Sequence, residues 1–225
     1  MDFTYKGTAT STYGVIVNSL EWYKKPRRKA EQIAIKGRDG VTVVDDAYEA
    51  ITLRCRITLT SLTNMDSVVA WLSGSGVLSF SEDTGKYRNV TVLDDVGFKR
   101  DGSVWVAQFD FLCQDPYRYV SSEANVTKTS FPASYTNAGT VIAKPLWKVT
   151  GSGTVSFTSG GKTMTLVLDT AYVYVDAGSR EVYYSTTLKN RIASGDFPEL
   201  AVGSNTISVT GTVTEIVITP RTRYL

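Results

Sequence analysis

Three groups of residues in this sequence have the chemical type and spacing that a catalytic or ligand-binding site could use. The first kind is adjacent acids, which occur at Asp45-Asp46, Glu82-Asp83 and Asp94-Asp95. Two carboxylates are the machinery of glycoside hydrolysis. Adjacent residues on a strand point to opposite faces of a sheet, however, so neighbours in sequence do not make a catalytic pair. Each pair lies near the end of a predicted strand, and we expect solvated turn acids.

The second kind is a glycine-rich stretch, Gly160-Gly161-Lys162-Thr163, which matches the end of a phosphate-binding loop. The full motif needs a glycine five positions before Gly161, where Ser156 stands. It also needs a helix to follow, but the next residues, MTLVLD, alternate as a strand does. The stretch is therefore predicted to be a hairpin turn.

The third kind is aromatic. Tyr172, Tyr174, Tyr183 and Tyr184 lie in two predicted neighbouring strands. Such rings could form a platform for a sugar. They could equally be cross-strand aromatic pairs that stabilise a hairpin.

The composition removes most enzymatic chemistry. The 225 residues include no histidine, which is the commonest general base and metal ligand. Two cysteines cannot form a four-ligand zinc site without other donors. Cys55 and Cys113 lie in apolar runs, and we expect two small buried hydrophobic residues, although a bridge between them is compatible with the sequence. We predict no enzyme, no cofactor and no metal.

Charge and hydropathy restrict the partners. There are 24 basic and 22 acidic residues; residues 1–124 hold 15 and 16 of them, and residues 125–225 hold 9 and 6. A nucleic-acid-binding domain usually shows a strong regional excess of positive charge, and neither half does. No run approaches the roughly 20 apolar residues of a membrane span, and the N-terminus has no signal-peptide pattern. We expect a chain that is made and folded in the cytoplasm and has no membrane partner.

The elements that would position these residues are mostly strands. Short runs rich in Val, Ile, Thr, Tyr and Phe are separated by turn residues in both halves. Asp101-Gly102 predicts a hairpin, since both turn positions favour positive φ, and Asp39-Gly40 gives a similar signal. In the first half the predicted strands are Val41–Val44, Ile51–Leu59, Val77–Phe80, Val90–Leu93 and Val104–Leu112.

One segment predicts a helix. In TNMDSVVAWLSG, the residues Met65, Val68, Val69 and Leu72 fall on one helical face. Asn64 is expected to cap its start, and Gly74 is expected to follow its end.

The second half is predicted to be all strand. Seven segments separated by GSG, SGG, DAGS, GDFP and VGSN indicate a β-sandwich. A polar stretch with few aliphatic residues precedes them, so we predict domains at residues 1–122 and 123–225. The strands are Trp147–Val149, Val155–Thr158, Met164–Leu168, Tyr172–Val175, Val182–Tyr184, Thr206–Val209 and Val213–Ile218.

Five blocks then show an ordered resemblance: FTYKGTATSTYGVIV, KGRDG, CQDPYRY, NAGTVIAKPLWKVTGSG and FPELAVGSNTISVTGTVTEIVITPRTRYL. Together they resemble the distal tail proteins of long, flexible-tailed bacteriophages of Gram-positive bacteria. No single block is a chemical motif, but the resemblance covers both halves of the chain.

The resemblance implies a mainly β structural protein of the virion, with an N-terminal β-rich ring-forming domain containing one short helix and a C-terminal galectin-like β-sandwich. Such proteins form a hexameric hub ring at the tail tip, assembled in the host cytoplasm as a single or a stacked ring. The ring joins the tail tube protein to the baseplate. Its partners are the tail-associated fibre or lysin protein and receptor-binding or baseplate proteins, and DNA passes only in transit through its lumen. Galectin-type sugar sites use a histidine-containing polar cluster that this sequence lacks.

The basic stretch KKPRRKAEQIAIKGRDG, from Lys24 to Gly40, is then open to three interpretations. It could be an arm that reaches the next subunit of a ring, a solvated edge loop, or a lumen lining that meets DNA through weak contacts. Within the arm, IAI is expected to form a strand. The candidate interface residues are Arg27, Arg28, Lys29, Arg38 and Asp39, with Asp45, Asp46 and Glu49 as acidic partners on a neighbour.

Two rival functions remain at this point. A tail-tube subunit would polymerise into long cylinders, whereas a hub would stop at one or two rings. A carbohydrate-binding module for host cell-wall adhesion would bind glycans by itself.

Overall fold

The computed structural model describes residues 1–44 and 47–225 of the chain. It divides into two compact units, Met1–Arg118 together with Leu225, and Tyr119–Tyr224. Antiparallel sheets make up both units, so the predicted mainly β fold class is confirmed. That the chain forms two independently folding domains with a boundary near residue 122 stays a prediction.

The first unit is built on one antiparallel sheet with the strand order β2-β1-β7-β8-β10-β6-β3, and β9 adds to β10. Two further strands, β4 and β5, pair only with each other. The elements are β1 (Phe3–Tyr5), β2 (Thr8–Ala9), β3 (Val15–Leu20), β4 (Arg28–Ile33), β5 (Thr42–Tyr48), β6 (Ile51–Leu59), α1 (Met65–Trp71), β7 (Gly74–Phe80), β8 (Lys86–Val92), β9 (Lys99–Asp101) and β10 (Val104–Cys113), with 3-10 turns at Thr10–Tyr13 and Leu62–Asn64.

The core of this unit lies between the sheet and α1. Alternate residues of β6 and β10 are buried, as expected for strands with one face on a core. Trp71 of α1 stacks on Phe3, with ring centroids 5.6 Å apart, and its indole N–H donates to the Tyr5 carbonyl at 2.9 Å. The seven-residue helix is therefore held by tertiary packing rather than by its own propensity.

The predicted helix exists, but the predicted buried face is wrong in part. Val68, Trp71 and Leu72 are buried, whereas Val69 is 40% exposed. Val68, Trp71 and Leu72 are spaced i, i+3 and i+4, so the helix packs through the face that carries Trp71, and Val69 lies outside that face. The predicted cap is also wrong, because the Asn64 side chain makes no capping bond and donates instead to the Tyr13 carbonyl.

The two cysteines are buried and free, as predicted. Cys55 pairs with Phe109, and Cys113 pairs with Ile51, so the thiols lie four register positions apart on adjacent strands. Burial raises the pKa of Cys55 to about 12 and that of Cys113 to about 11.

We expect neither thiol to react with a disulfide reagent at pH 8 while the protein is folded, because only the thiolate is nucleophilic. Both should react once guanidinium chloride unfolds the first unit. Absorbance of the released thiolate measures this, and rapid labelling of the native protein would contradict the placement of either thiol.

The second unit is a β-sandwich built around two long strands. The strands of its sheet are β12 (Val126–Lys128), β13 (Ala133–Asn137), β14 (Leu146–Ser159), β15 (Lys162–Leu168), β16 (Tyr172–Asp176), β17 (Glu181–Tyr184), β18 (Thr187–Leu188), β19 (Ala193–Gly195) and β20 (Gly203–Thr219), with a 3-10 turn at Asn190–Ile192. Two short strands outside this sheet, β11 (Arg118–Val120) and β21 (Arg223–Tyr224), pair with each other. The main path is β12-β20-β14-β16-β17-β18. β13 pairs with the other half of β20, β15 pairs with the other half of β14, and β19 pairs with β15.

The long strands correct the prediction of separate segments around GSG. Residues 146–159 form one strand and residues 203–219 another, and their pairing changes register on either side of Gly151. A Cβ on Gly151 would lie 2.3 Å from the Thr212 carbonyl oxygen, and one on Gly211 would lie 2.4 Å from that of Thr154. Glycine therefore permits close crossing of the two strands here rather than a turn.

Of the three turns predicted from short signals, two are tight hairpin turns and are confirmed, and the third, at Asp39-Gly40, lies in the longer connection between the paired strands β4 and β5. Asp101 and Val104 pair directly across Gly102, which has φ of 60°. Ser159 and Lys162 pair across Gly160 and Gly161, both at positive φ. Lys162 and Thr163 thus belong to a strand, and the phosphate-binding motif is excluded by geometry.

An ion pair ties the β16–β17 turn to the segment after β20. Arg221 donates two hydrogen bonds to Asp176, at 2.7 and 2.9 Å. Burial by itself would raise the pKa of Asp176, but the bonds from Arg221 and from the N–H groups of Ser179 and Gly178 outweigh it and hold the pKa below its ordinary value.

The stability of the second unit should therefore fall in acid. Since the folded carboxyl of Asp176 binds a proton more weakly than the unfolded one, its stabilisation is complete above the unfolded pKa of about 4 and is lost as pH falls through the lower folded pKa. We expect Asp176→Asn to lower the free energy of unfolding at pH 7 and to flatten its acid dependence. Urea titrations across the acid range measure both, with Asp169→Asn, in the more exposed pair with Lys189, as the weaker control. An unchanged acid slope in Asp176→Asn would contradict the assignment.

Candidate assembly interface

The strongest candidate site is the hairpin β4–β5 of the first unit. All six residues of β4 are exposed, and the pair forms a two-stranded sheet of its own. The strand β4 begins at Arg28 and ends at Ile33, so it is formed by part of the basic stretch. The prediction that IAI forms the strand is therefore wrong, because β4 ends at the first residue of IAI. A two-stranded sheet is marginally stable in water by itself, so this element is suited to gain stability from a partner.

The root of the hairpin is held by a few specific contacts. The Glu49 N–H donates to the Arg27 carbonyl at 2.8 Å, and Tyr48 meets Tyr117 edge-on with centroids 6.2 Å apart. The Arg28 guanidinium lies over the Tyr48 ring at 5.4 Å. Pro26 is buried just before the strand, which fixes the point where the chain leaves the body of the unit.

Apolar side chains line the hairpin without a core to receive them. Their exposed fractions run from 41% to 56%, which is high for five large aliphatic residues on one small element. So many exposed aliphatic side chains on one two-stranded sheet make it a candidate interaction site. The residues are Ile33, Ile35, Val41, Val43 and Val44. These five residues were not among the predicted interface residues, although in the sequence they lie in short apolar runs flanked by charged residues.

One depression lies on the segment before the hairpin, and another lies at the root of the hairpin. One, of about 650 Å³, is formed by the segment Leu20–Lys24 that precedes the hairpin, where Tyr23 is 65% exposed. The other, of about 640 Å³, is lined by Arg27, Arg28, Lys29, Ala30, Glu31, Val44 and Glu49. Both are shallow and open to solvent.

The predicted interface residues fall in two places. Arg27, Arg28, Lys29 and Glu49 lie together at the root, whereas Arg38 and Asp39 lie in the exposed turn at the tip. Asp45 and Asp46 lie outside the described residues. Lys24, from the same basic run, is bound to the body through Glu21 and the Thr52 carbonyl. That these residues contact a neighbouring subunit stays a prediction.

Of the other acidic pairs, one was misread as solvated. The Asp83 side chain is 10% exposed and accepts hydrogen bonds from Arg118 at 2.8 Å and Lys86 at 2.9 Å. These bonds overcome the effect of burial and keep the Asp83 pKa below its ordinary value. Asp94 accepts a bond from the Asp110 N–H. In the described parts of the chain no three His, Cys, Asp or Glu side chains are grouped to hold a metal ion.

The tyrosines of the second unit form cross-strand pairs, the second of the two interpretations given above. Tyr174 and Tyr183 face each other in register, with rings stacked at 5.3 Å and an interplanar angle of 24°.

No helix over residues 1–44 and 47–225 has the length and apolar character of a membrane span.

The fold of the chain is that of a phage tail hub protein. The comparison that carries this is with the crystal structure of the SPP1 Dit (gp 19.1) protein, from a hub adsorption apparatus of phages that infect Gram-positive bacteria. The two are 15% identical, the match covers 100% of this chain and 99% of that one, and the TM-score is 0.80. The resemblance to distal tail proteins is thus confirmed at the level of the fold.

Two chains of the phage p2 baseplate in its activated conformation are also similar. The strontium-bound form gives 8% identity and a TM-score of 0.47, and the calcium-bound form gives 9% and 0.43; each match covers 96% of this chain and 97% of the other. No protein-family model matches the sequence. No curated protein sequence matches it.

Proposed function

We propose that the protein is a structural subunit of a phage tail hub, at the tail tip of the virion. The observation that carries the proposal is the similarity in fold to SPP1 Dit over the whole of both chains. In this role the subunit assembles into a hexameric ring that joins the tail tube protein to the baseplate, and DNA crosses its lumen in transit. Its further partners are the fibre or lysin protein and receptor-binding or baseplate proteins, and it has no catalytic function.

The hairpin supports this proposal physically. Each subunit of a closed ring presents two different surfaces to its two neighbours, one of which must receive what the other offers. The exposed apolar residues of β4 and β5 and the basic residues at their root are what this subunit offers. We propose that Arg27, Arg28, Lys29, Arg38 and Asp39 contact the adjacent subunit, whose Asp45, Asp46 and Glu49 are the acidic partners.

Light scattering after size exclusion, together with negative-stain electron microscopy of the purified protein, tests the proposal. We expect particles of six or twelve subunits at high concentration, with an open centre. Cylinders of indefinite length would indicate a tail-tube subunit instead. A strictly monomeric protein that binds cell-wall glycan on an array would favour the carbohydrate-binding module and overturn the hub.

A further inference from the structure

The tripeptide Arg-Asp-Gly occurs twice in the first unit, and the structure gives the two copies different surroundings. One copy is Arg38-Asp39-Gly40 and the other is Arg100-Asp101-Gly102; they hold the two Asp-Gly pairs of the sequence. In such a pair the glycine nitrogen can close a five-membered ring with the carboxyl carbon of the preceding aspartate. Glycine allows this best, because it has no side chain beside its nitrogen. The pair is therefore a place where an aspartate can react with its own main chain.

Asp39 lies outside the strand pairing of the hairpin β4–β5. It belongs to the connection 34–41 between the two strands, all of which is exposed. Its carboxylate makes no hydrogen bond or ion pair with the described residues, and the Gly40 N–H donates to none of them. The nearest hydrogen bond, from the Arg38 N–H to the Ile35 carbonyl at 3.1 Å, closes the turn before Asp39. These contacts leave the backbone at Asp39 free to rotate.

The surroundings of Gly40 are open as well. Its φ is 82°, and a Cβ built on this residue would meet nothing within 4 Å. The nitrogen of Gly40 can therefore approach the Asp39 carboxyl without displacing any other described group.

Asp101 has the same two neighbours in the sequence but a fixed backbone. It is the last residue of β9 and pairs with Val104 of β10 across a tight turn. The Arg100 side chain also donates to the Gly102 carbonyl at 3.1 Å. The Gly102 nitrogen can reach the Asp101 carboxyl only after this end of the hairpin opens, and local opening of paired strands costs free energy.

We propose that Asp39 is a site of isoaspartate formation in the unassembled subunit, and that its hairpin protects Asp101 from the same reaction. The Gly40 nitrogen bonds to the side-chain carboxyl carbon of Asp39 and loses its proton, while the carboxyl loses its hydroxyl, so one water leaves. A second water opens the resulting cyclic imide at the main-chain carbonyl, and the chain then continues through the former side chain. The mass is unchanged, and no oxidant or reductant takes part.

Storage of the purified full chain in warm, neutral buffer tests the reaction. Peptide mass spectrometry with electron-transfer fragmentation distinguishes isoaspartate from aspartate of equal mass, and heavy-oxygen water marks each ring opening. We expect isoaspartate to form at Asp39 about tenfold or more faster than at Asp101, because the paired turn must first open. Absence of isoaspartate at Asp39, or equal rates at the two sites in the folded protein, would overturn the proposal.

The same measurement in urea shows whether the structure causes the difference. The two tripeptides are identical, so their rates should become similar once the first unit is unfolded. A difference that persisted in urea would come from the residues that follow, Val41 and Ser103, and would contradict protection by the hairpin.

The consequence for assembly rests on the proposed function, in which Asp39 contacts the adjacent subunit. An isoaspartate adds one carbon to the main chain and moves the carboxylate, so stored protein should form fewer rings than fresh protein in light scattering after size exclusion. Asp39→Glu is the matched control, because glutamate keeps the charge but would have to close a larger ring, and storage should leave its assembly unchanged.

The outcomes separate the two proposals. An equal loss of assembly in stored Asp39→Glu would contradict isoaspartate as the cause of the loss. Unchanged assembly of protein that demonstrably carries isoaspartate at Asp39 would contradict the contact of this residue with a neighbour, which belongs to the proposed function, and would leave the modification site in place.

Discussion

Reversing three charges at the root of the hairpin, with Arg27→Glu, Arg28→Glu and Lys29→Glu, should abolish ring assembly and leave the subunit folded. The three side chains are exposed, so their own contribution to the stability of the subunit is small. In an interface they would meet groups selected for positive charge, and like charges facing each other cost several kcal/mol. We expect the concentration for half-assembly to rise by about a hundredfold or more, measured by light scattering after size exclusion.

Salt and a control variant make this result specific. High salt should restore part of the assembly by screening the new repulsion. Reversal of Lys144, Arg180 and Arg191 in the second unit should have little effect. If the triple mutant still formed rings in low salt, the arm hypothesis would be wrong, and the basic stretch would be a solvated loop. Intact rings with impaired DNA ejection from reconstituted phage would identify the segment as a lumen lining.

Trp147→Ala should cause the largest loss of stability in the second unit. Trp147 is fully buried, its indole N–H donates to the Pro198 carbonyl at 3.0 Å, and its ring meets Phe157 edge-on at 5.5 Å. Removing a buried aromatic side chain leaves a cavity and costs about 3–5 kcal/mol. We expect that loss in urea unfolding of residues 119–225 expressed alone, followed by circular dichroism.

The choice of residues 119–225 follows from two hydrogen bonds. The Glu123 carboxylate accepts the N–H of Thr222 at 2.8 Å and also the Thr222 hydroxyl, and Thr222 is buried. A fragment that begins at residue 125 lacks this carboxylate and leaves a buried donor unpaired, which costs about 1–3 kcal/mol. Val167→Ala, at an exposed position of β15, is the control for Trp147 and should change the stability little. An unfolded 119–225 fragment would contradict the two-domain organisation.

The features that the sequence predicted well were local. Asp101-Gly102 and Gly160-Gly161 determine their turns through the φ angles that glycine permits, and no distant residue is needed. The helix from Met65 was visible because its apolar spacing spans only two turns. These elements are specified by residues that are neighbours in the chain.

The features that were missed depend on distant residues. The burial of Asp83 requires Arg118, 35 positions away. The continuity of β14 through Gly151 requires Gly211 and Thr212 on β20. The strand at Arg28–Ile33 is highly charged and pairs with a segment that is itself exposed. Neither hydrophobic periodicity nor turn-forming residues can predict contacts between residues that are far apart in the sequence. The candidate interface was predicted from its basic residues, and the exposed apolar residues beside them were not part of that prediction.

The close crossing of β14 and β20 has a consequence for how this sequence can change over generations. At Gly151 and at Gly211 a methyl group would press on a carbonyl oxygen of the opposite strand, and a carbonyl oxygen cannot rotate away as a flexible side chain can. Any relative that keeps the crossing should therefore keep both glycines, however far its other residues have drifted. Paired glycines 60 positions apart, each within a run of alternating apolar residues, then become a signature by which remote members can be found when overall identity has fallen to the level seen with SPP1 Dit.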